Sequence, residues 1–378
     1  MEKSCINPFV GLDIQPDGEI KPCCKINPTI PNDQVPNIKD GITKYKNNEW
    51  IKRLQAQFKN GEQPADCSRC WKDESIGIKS KRQLDQDALS ARISQNDINS
   101  NKIKNIQISF GNICNLACRI CGPRSSSRWV AEMKKNNIGE YPIHNWHQDQ
   151  KVMDDIYEHT KDGIHMDFGG GEPLLTEITE HMAYLQRFVD AGTAREVSLH
   201  YVTNGTNFVS NQFLELWKKF KFIDIQVSID DTGDRYEYNR YPAVWPEVFF
   251  NLKNYQNLVK ENSARFRLSL SFTISAFTIL YAEEFVIWCV RQGLPMPYMG
   301  ILSNPVYYRP SVFPQTVRKA IGEKLESSKI KAVKDLKGLL DRDDSKHFDQ
   351  FLEGIKVLDT IRKQDFAKIF PELHKLLP

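Results

Sequence analysis

The sequence runs to 378 residues, 40% hydrophobic and 26% charged, which is ordinary usage for a globular protein of one large domain with attachments or of two to three smaller ones. Its 51 basic and 48 acidic side chains leave a net charge of +3, too even a balance for an electrostatic nucleic-acid footprint, and no run of 18 apolar residues offers a membrane span. The opening MEKSCINPFVGLDIQPDG has no cationic start, apolar centre or small-residue cleavage site, so the expectation is a cytoplasmic protein with reduced cysteines and neither nucleic acid nor membrane as partner.

Taken in chain order, residues 1–102 come first. Proline, glycine, asparagine and cysteine punctuate short runs there, and a polar stretch from 79 to 102 leads onward, so this segment is expected as a small cysteine-rich module. From residue 103 the pattern changes. Apolar or β-branched runs at 103–110, 163–168, 195–202, 222–229, 265–274 and 297–302 predict six strands. Helical stretches separate them: Ile178, Met182, Leu185 and Phe188 recur at helical spacing before a stop at Gly192, and 211–220 and 282–293 behave alike. Alternating strands and helices predict an α/β fold, a partial (β/α)6 TIM-like barrel over 103–310. Beyond it, 311–378 is expected as a C-terminal helical extension whose stripe Phe348, Phe351, Leu352, Ile355, Leu358 and Ile361 packs onto the barrel.

The chemistry concentrates in GNICNLACRICGP, residues 111–123, with thiols at Cys114, Cys118 and Cys121 directly after the first expected barrel strand. Barrels of this kind place their active sites at that end of the strands. A closed zinc site takes four ligands, so three thiolates need a distant histidine to complete one. A [4Fe-4S] cubane offers a different account: three thiolates leave one iron open for a substrate or cofactor.

Cys114-x3-Cys118-x2-Cys121 resembles the signature of the radical S-adenosylmethionine (SAM) superfamily, and the second strand ends in the companion motif GGEP, Gly170, Gly171, Glu172 and Pro173. The resemblance implies that the cysteines bind a catalytic [4Fe-4S] cluster and that Gly170–Pro173 hold the SAM amino group. It further implies that Thr203 and Asn204 of TNG, and Ser228 and Asp230 of SIDD, contact the SAM ribose or carboxylate, and that Arg240 pairs with that carboxylate. Simple turns after strands are the alternative for TNG and SIDD, because Asn, Gly and Asp dominate turns. One position departs from the pattern: the residue before the third cysteine is usually aromatic and is here Ile120.

The N-terminal cysteines carry a second resemblance. Cys5, then Gly18, Cys23, and later Cys67-x2-Cys70 have the spacing that opens the SPASM or twitch auxiliary modules of radical SAM enzymes, here placed before the barrel and without the later cysteines of a full SPASM domain. It implies a second, auxiliary [4Fe-4S] cluster on Cys5, Cys23, Cys67 and Cys70, with Cys24 as the alternate ligand. Zinc suits four thiolates equally. Cys289 is expected as a buried small hydrophobe, and His144 and His147 as residues of a surface loop.

The function so implied is reductive cleavage of SAM to a 5'-deoxyadenosyl radical that takes a hydrogen atom from a peptide or protein side chain, with a one-electron reductant such as flavodoxin or ferredoxin. The alternatives are dehydrogenation or epimerisation of a small alcohol, sugar or nucleotide, and a zinc-stabilised binding module.

Overall fold

The computed structural model of the protein describes residues 4–75, 79–175 and 179–378. Two compact units share the chain: residues 1–113, 142–202 and 209–224 form one, and 114–141, 203–208 and 225–378 the other. Among the described residues no helix is long and apolar enough to cross a membrane.

Eight strands follow the hydrogen-bonded order β2-β1-β3-β4-β5-β6-β7-β8. They are β1 Gly11–Ile14, β2 Ile20–Lys21, β3 Asn105–Ile108, β4 His165–Phe168, β5 Ser198–Thr203, β6 Phe222–Ser228, β7 Phe266–Ile274 and β8 Tyr298–Ile301. β1 pairs antiparallel with β2 and parallel with β3; the pairings β3–β4, β4–β5 and β7–β8 are also parallel. The six expected strands are β3 to β8, so the α/β reading holds. Two strands more come from the segment before residue 103, where none was expected. β1 hid because it is only four residues long, Gly11-Leu12-Asp13-Ile14, too short a run for its alternation to stand out.

Period two governs the first unit. Ile106, Ile108, Met166, Phe168, Leu199 and Tyr201 turn to one face and are buried. Over that face the helices Thr179–Asp190 and Asn211–Trp217 add Phe188, Phe213 and Trp217. The Phe168, Tyr201 and Trp217 rings follow one another with centroids 4.9 Å apart at each step, the first pair stacked and the second tilted by 50°. Truncating any one would cost about 3–5 kcal/mol. The first helix stops at Asp190, and Gly192 turns at φ +73°, as its place in the sequence predicted; Ile178 of its expected stripe lies outside the described residues.

In the second unit the helix Phe348–Arg362 buries Phe348, Phe351, Ile355 and Leu358. Phe351 meets Phe277 at 5.6 Å and Phe366 at 6.2 Å. Leu352, expected in the same stripe, is 40% exposed, and Arg362 occupies the buried line in its place. Cys289 is fully buried on the helix Ala282–Arg291, and burial pushes its thiol up to about 12.

Candidate functional site

The loop between β3 and the helix Ser127–Lys135 is stitched to its own unit mainly through backbone groups. Ala117 N donates to Tyr241 O (2.7 Å) and Arg119 N to Asn239 O (2.8 Å). Trp129 Nε1 donates to Cys118 O at 2.8 Å, and Ser126 Oγ to Leu116 O at 2.5 Å. Cys114 N donates to Ser127 Oγ, whose hydroxyl returns a bond to Cys114 O, both at 3.1 Å. The main chain is occupied in this way, and none of the three half-buried thiols of Cys114, Cys118 and Cys121 is in a disulfide. Burial pushes the Cys118 thiol up to about 12 while Arg240, and more weakly Arg362, pull it down. Cys121 is raised by burial and eased by a backbone hydrogen bond at Gly122 and by Arg240. Cys118 and Cys121 are therefore protonated thiols beside an arginine that favours the thiolate form.

Five further expected residues, Thr203, Asn204, Ser228, Asp230 and Arg240, stand in the same unit. Asn204 Nδ2 donates to Asn115 Oδ1 at 2.9 Å and reaches Cys114 Sγ at 4.0 Å. Its Oδ1 accepts from Thr206 N at 2.9 Å, and Thr203 Oγ1 accepts from Gly205 N at 3.2 Å, so TNG is a side-chain-closed turn next to the first cysteine. Arg240 is ion-paired with Asp230 at 2.7 Å, and Asp230 Oδ1 also accepts from Thr273 N at 2.8 Å. The buried Nε of Arg240 has no partner, a donor suited to a carboxylate. Ser228 closes β6, half-buried. Three thiols on one loop beside an arginine with a spare donor are a donor set that fits a cubane and an amino-acid carboxylate.

GGEP lies in the first unit, at the end of β4. Gly170 and Gly171 have φ of +68° and +59°; a Cβ on the first would meet Ser109 Oγ at 2.3 Å, and on the second Ile113 O at 2.3 Å. Glycine is required twice over, by the left-handed backbone and by the close approach. Glu172 N donates to the same Ile113 carbonyl at 2.8 Å, and Ile113 is the residue immediately before Cys114. The Glu172 carboxylate, buried, accepts from Leu174 N at 3.0 Å. Pro173 O is bonded to His181 Nδ1 at 3.2 Å, and His181 Nε2 to Tyr201 OH at 3.0 Å. Burial drives the His181 imidazole down to about 3, so it stays neutral, donating at Nδ1 and accepting at Nε2. The sequence reading did not single out His181, because one histidine on an amphipathic helix carries no signal of its own.

His144 and His147 depart from the surface-loop expectation. His147 is buried against Phe110 and Trp146, with ring centroids at 6.2 and 6.1 Å. Asn112 fastens this loop by accepting from His144 N at 2.8 Å and donating to Pro142 O at 3.1 Å.

The N-terminal cysteines converge although three segments supply them. Cys5, Cys23, Cys67 and Cys70 line one small cavity with Lys25 and Arg82. Buried Asp66 anchors the CxxC turn, accepting from Thr29 N at 2.8 Å and Trp50 Nε1 at 2.9 Å. All four cysteines are free. Burial raises the Cys5 and Cys23 thiols and pushes Cys67 up to about 12; neighbouring thiols add to each shift. Cys24 lies among different groups: after burial, its largest influences are Lys81 and Asp13. Among the described residues no three His, Cys, Asp or Glu side chains converge on a single metal-ion position. A cubane takes one thiolate per iron, a wider spacing than the shell of one ion.

A polar row was missed entirely. Parallel register aligns Asp13, Gln107, Asp167 and His200 across β1, β3, β4 and β5, on the face opposite the aromatic core. His200 Nδ1 pairs with Asp167, and its Nε2 stands 3.8 Å from Asp224. Despite burial, His165 and His200 hold the Asp167 carboxyl well below its usual range. Asp13, Lys81, Gln107 and Asp167 line a small cavity with Cys23, and Asp13 Oδ1 is buried without a partner. The available signal was the polar half of each strand alternation.

Residues 108–264 match the model of the Radical SAM superfamily, with the three-cysteine loop near the start of the matched segment and the Gly170–Pro173 turn inside it. No curated protein sequence matches the chain. Among solved structures it is similar to anSMEcpe with bound AdoMet, at 15% identity and a TM-score of 0.41, over 53% of each chain. It is also similar to SuiB of Streptococcus suis bound to S-adenosylmethionine (13%, TM-score 0.38, 83% of this chain and 68% of that one). A third is TYW1 with a lysine-pyruvate adduct bound (15%, TM-score 0.31, 59% and 72%). The chain thus spans about half the length of the anSMEcpe chain it matches.

Proposed function

We propose that this protein is a radical SAM enzyme acting on a peptide or protein side chain, with a catalytic cluster on Cys114, Cys118 and Cys121 and an auxiliary [4Fe-4S] cluster on Cys5, Cys23, Cys67 and Cys70. When bound, the catalytic cluster supplies one electron that splits SAM homolytically and so generates a hydrogen-abstracting 5'-deoxyadenosyl radical. The chain's own contribution is placement. Backbone bonds fix the cysteine loop, Arg240 Nε offers a donor to the SAM carboxylate, and Gly170 to Pro173 present backbone carbonyls and the Glu172 carboxylate to its ammonium. Thr203, Asn204, Ser228 and Asp230 complete the assigned SAM contacts, and a flavodoxin- or ferredoxin-type donor supplies the electron.

The observation that carries this reading is the conjunction of three cysteines outside any disulfide on a backbone-fixed loop with the superfamily match over 108–264. The auxiliary assignment is supported by four cysteines from three segments lining one cavity, and the peptide class by the SPASM-like spacing of those cysteines. Anaerobic reconstitution followed by iron and sulfide counting is the test. Two cubanes give about eight irons per chain, and zinc at the N-terminal site leaves about four. Reduced protein should convert SAM to 5'-deoxyadenosine and methionine. Conversion that survives the triple change of Cys114, Cys118 and Cys121 to alanine would overturn the assignment.

A further inference from the structure

We propose that the C-terminal helix Phe348–Arg362 is a positioning clamp for the cysteine loop, acting through two buried arginines that cross in opposite directions. Arg119 lies inside the motif, between Cys118 and Ile120, and its side chain has no solvent exposure. Its Nη2 donates to Asp359 Oδ1 (2.5 Å) and Gln364 Oε1 (3.0 Å), its Nε donates to Tyr238 O (3.1 Å), and the guanidinium sits 3.6 Å over the Tyr238 ring. Tyr238 OH donates to the same Asp359 oxygen at 2.8 Å.

The second arginine starts from the helix. Arg362, equally buried, grips Glu132 with two bonds, Nε to Oε1 at 3.0 Å and Nη2 to Oε2 at 2.7 Å. Its guanidinium rests 4.9 Å over Trp129 and 4.8 Å over Tyr241. Both aromatic residues touch the loop's backbone, Trp129 through Cys118 O and Tyr241 through Ala117 N. Leu358 fills the space between, packed with Ala117 and Trp129, and Cys121 lies against the same cluster.

A merely structural account leaves this arrangement unexplained. Burying two ion pairs costs desolvation that a well-packed apolar contact avoids, and each arginine still leaves a buried Nη1 without a partner. What bidentate pairs supply in exchange is register. Here the register fixed is that of Cys118 and Cys121. Arg362 is thus a cation held against Trp129 and Tyr241, the two residues bonded to the loop backbone at Cys118 and Ala117. A cation held beside a cluster ligand favours the more negative, reduced cluster, and an uncompensated carboxylate disfavours it.

The inference rests on the reading of the loop as a cluster site, but its first test does not. In apoprotein, hydrogen–deuterium exchange of residues 114–122 should be several-fold faster in Asp359→Asn than in the parent, with the rest of the second unit unchanged. In reconstituted protein, an EPR-monitored redox titration should place the catalytic cluster's midpoint lower in Arg362→Met, which leaves Glu132 unpaired, and higher in Glu132→Gln, which leaves Arg362 unpaired. Arg362→Lys should return the midpoint towards the parent value. Loop exchange equal to the parent in a folded Asp359→Asn protein, or midpoints that do not move in opposite directions, would sink the clamp. Failure of the parent to bind any cluster on the loop would instead remove the function proposed above and leave the exchange result standing.

Discussion

The two cysteine sites are built by opposite strategies. Cys114, Cys118 and Cys121 fall within eight consecutive residues, and the fold's work is to fix one loop from outside, through Tyr241, Asn239, Trp129 and Ser127. Cys5, Cys23, Cys67 and Cys70 are distant in sequence, and the fold's work is to gather them, through the anchor at Asp66 and the cavity wall from Phe58 and Arg82. Their electrostatics differ in kind. Burial is the largest influence at both, but the next on Cys118 is cationic Arg240, whereas the next on Cys23 and Cys67 is a neighbouring thiol. The comparison bears on the proposed function: cubanes held by these residues would have a coordination position to give away at the three-thiol loop and none at the four-thiol cavity.

The largest expected effect separates the two sites. Changing Cys114, Cys118 and Cys121 together to alanine should abolish 5'-deoxyadenosine formation and remove about half the iron. Changing Cys67 and Cys70 should remove a similar share of iron while SAM cleavage persists, measured by chromatography of the nucleoside. Equal loss of cleavage from both variants, each still folded, would erase the distinction.

A sharper cut distinguishes neighbours in sequence. Cys23 lines the thiol cavity, and Cys24 is influenced by Lys81 and Asp13 instead. Cys23→Ala should therefore lose the auxiliary iron, about four atoms per chain, and Cys24→Ala should keep it. The reverse outcome in the iron count would exchange their roles.

Smaller again is the cost at the GGEP turn. Gly171→Ala forces a Cβ to 2.3 Å from Ile113 O at φ +59°, whereas Gly192→Ala at φ +73° meets nothing within 4 Å. About 3 kcal/mol is expected for the first and about 1–2 kcal/mol for the second, read from urea unfolding of the two variants. Equal losses would mean that the approach to Ile113 is not rigid.

How much of this was legible beforehand follows from how each feature is encoded. The strands β3 to β8 and the three-cysteine loop are local patterns, alternation in the one case and fixed spacing in the other, and both could be read directly. Features set by pairing could not. Asp13, Gln107, Asp167 and His200 become one row only through the register of four strands. The bond from Arg119 to Asp359 spans 240 positions, and neither residue is unusual where it stands. Between these extremes lies the N-terminal site, where spacing suggested the four cysteines and the fold singles out Cys23 over Cys24 as part of the cavity.

The polar row and the aromatic core also separate by pH, which gives the smallest effect. Burial raises the Asp13 carboxyl to about 7, with Asp167 adding to it and Gln15, Lys21 and Lys81 opposing. The folded chain then holds a proton on Asp13 that the unfolded chain releases near its ordinary value of 3.8, so this group's contribution to stability falls as pH rises from about 4 to 7. His181, lowered to about 3, works the other way: the folded state refuses a proton that the unfolded chain accepts, and stability from this group rises with pH up to its ordinary 6.5. In the parent the two slopes oppose each other across most of this window. Asp13→Asn removes one and leaves the other, so the variant should gain on the parent by about 1.4 kcal/mol for each pH unit between 4 and 7 and no further above it. Urea midpoints at pH 4.5, 5.5 and 6.5 measure the difference directly, with every unaltered group cancelling. Parallel profiles would mean that Asp13 is ionised in the folded chain, its Oδ1 having found the partner that the cavity beside Cys23 offers room for.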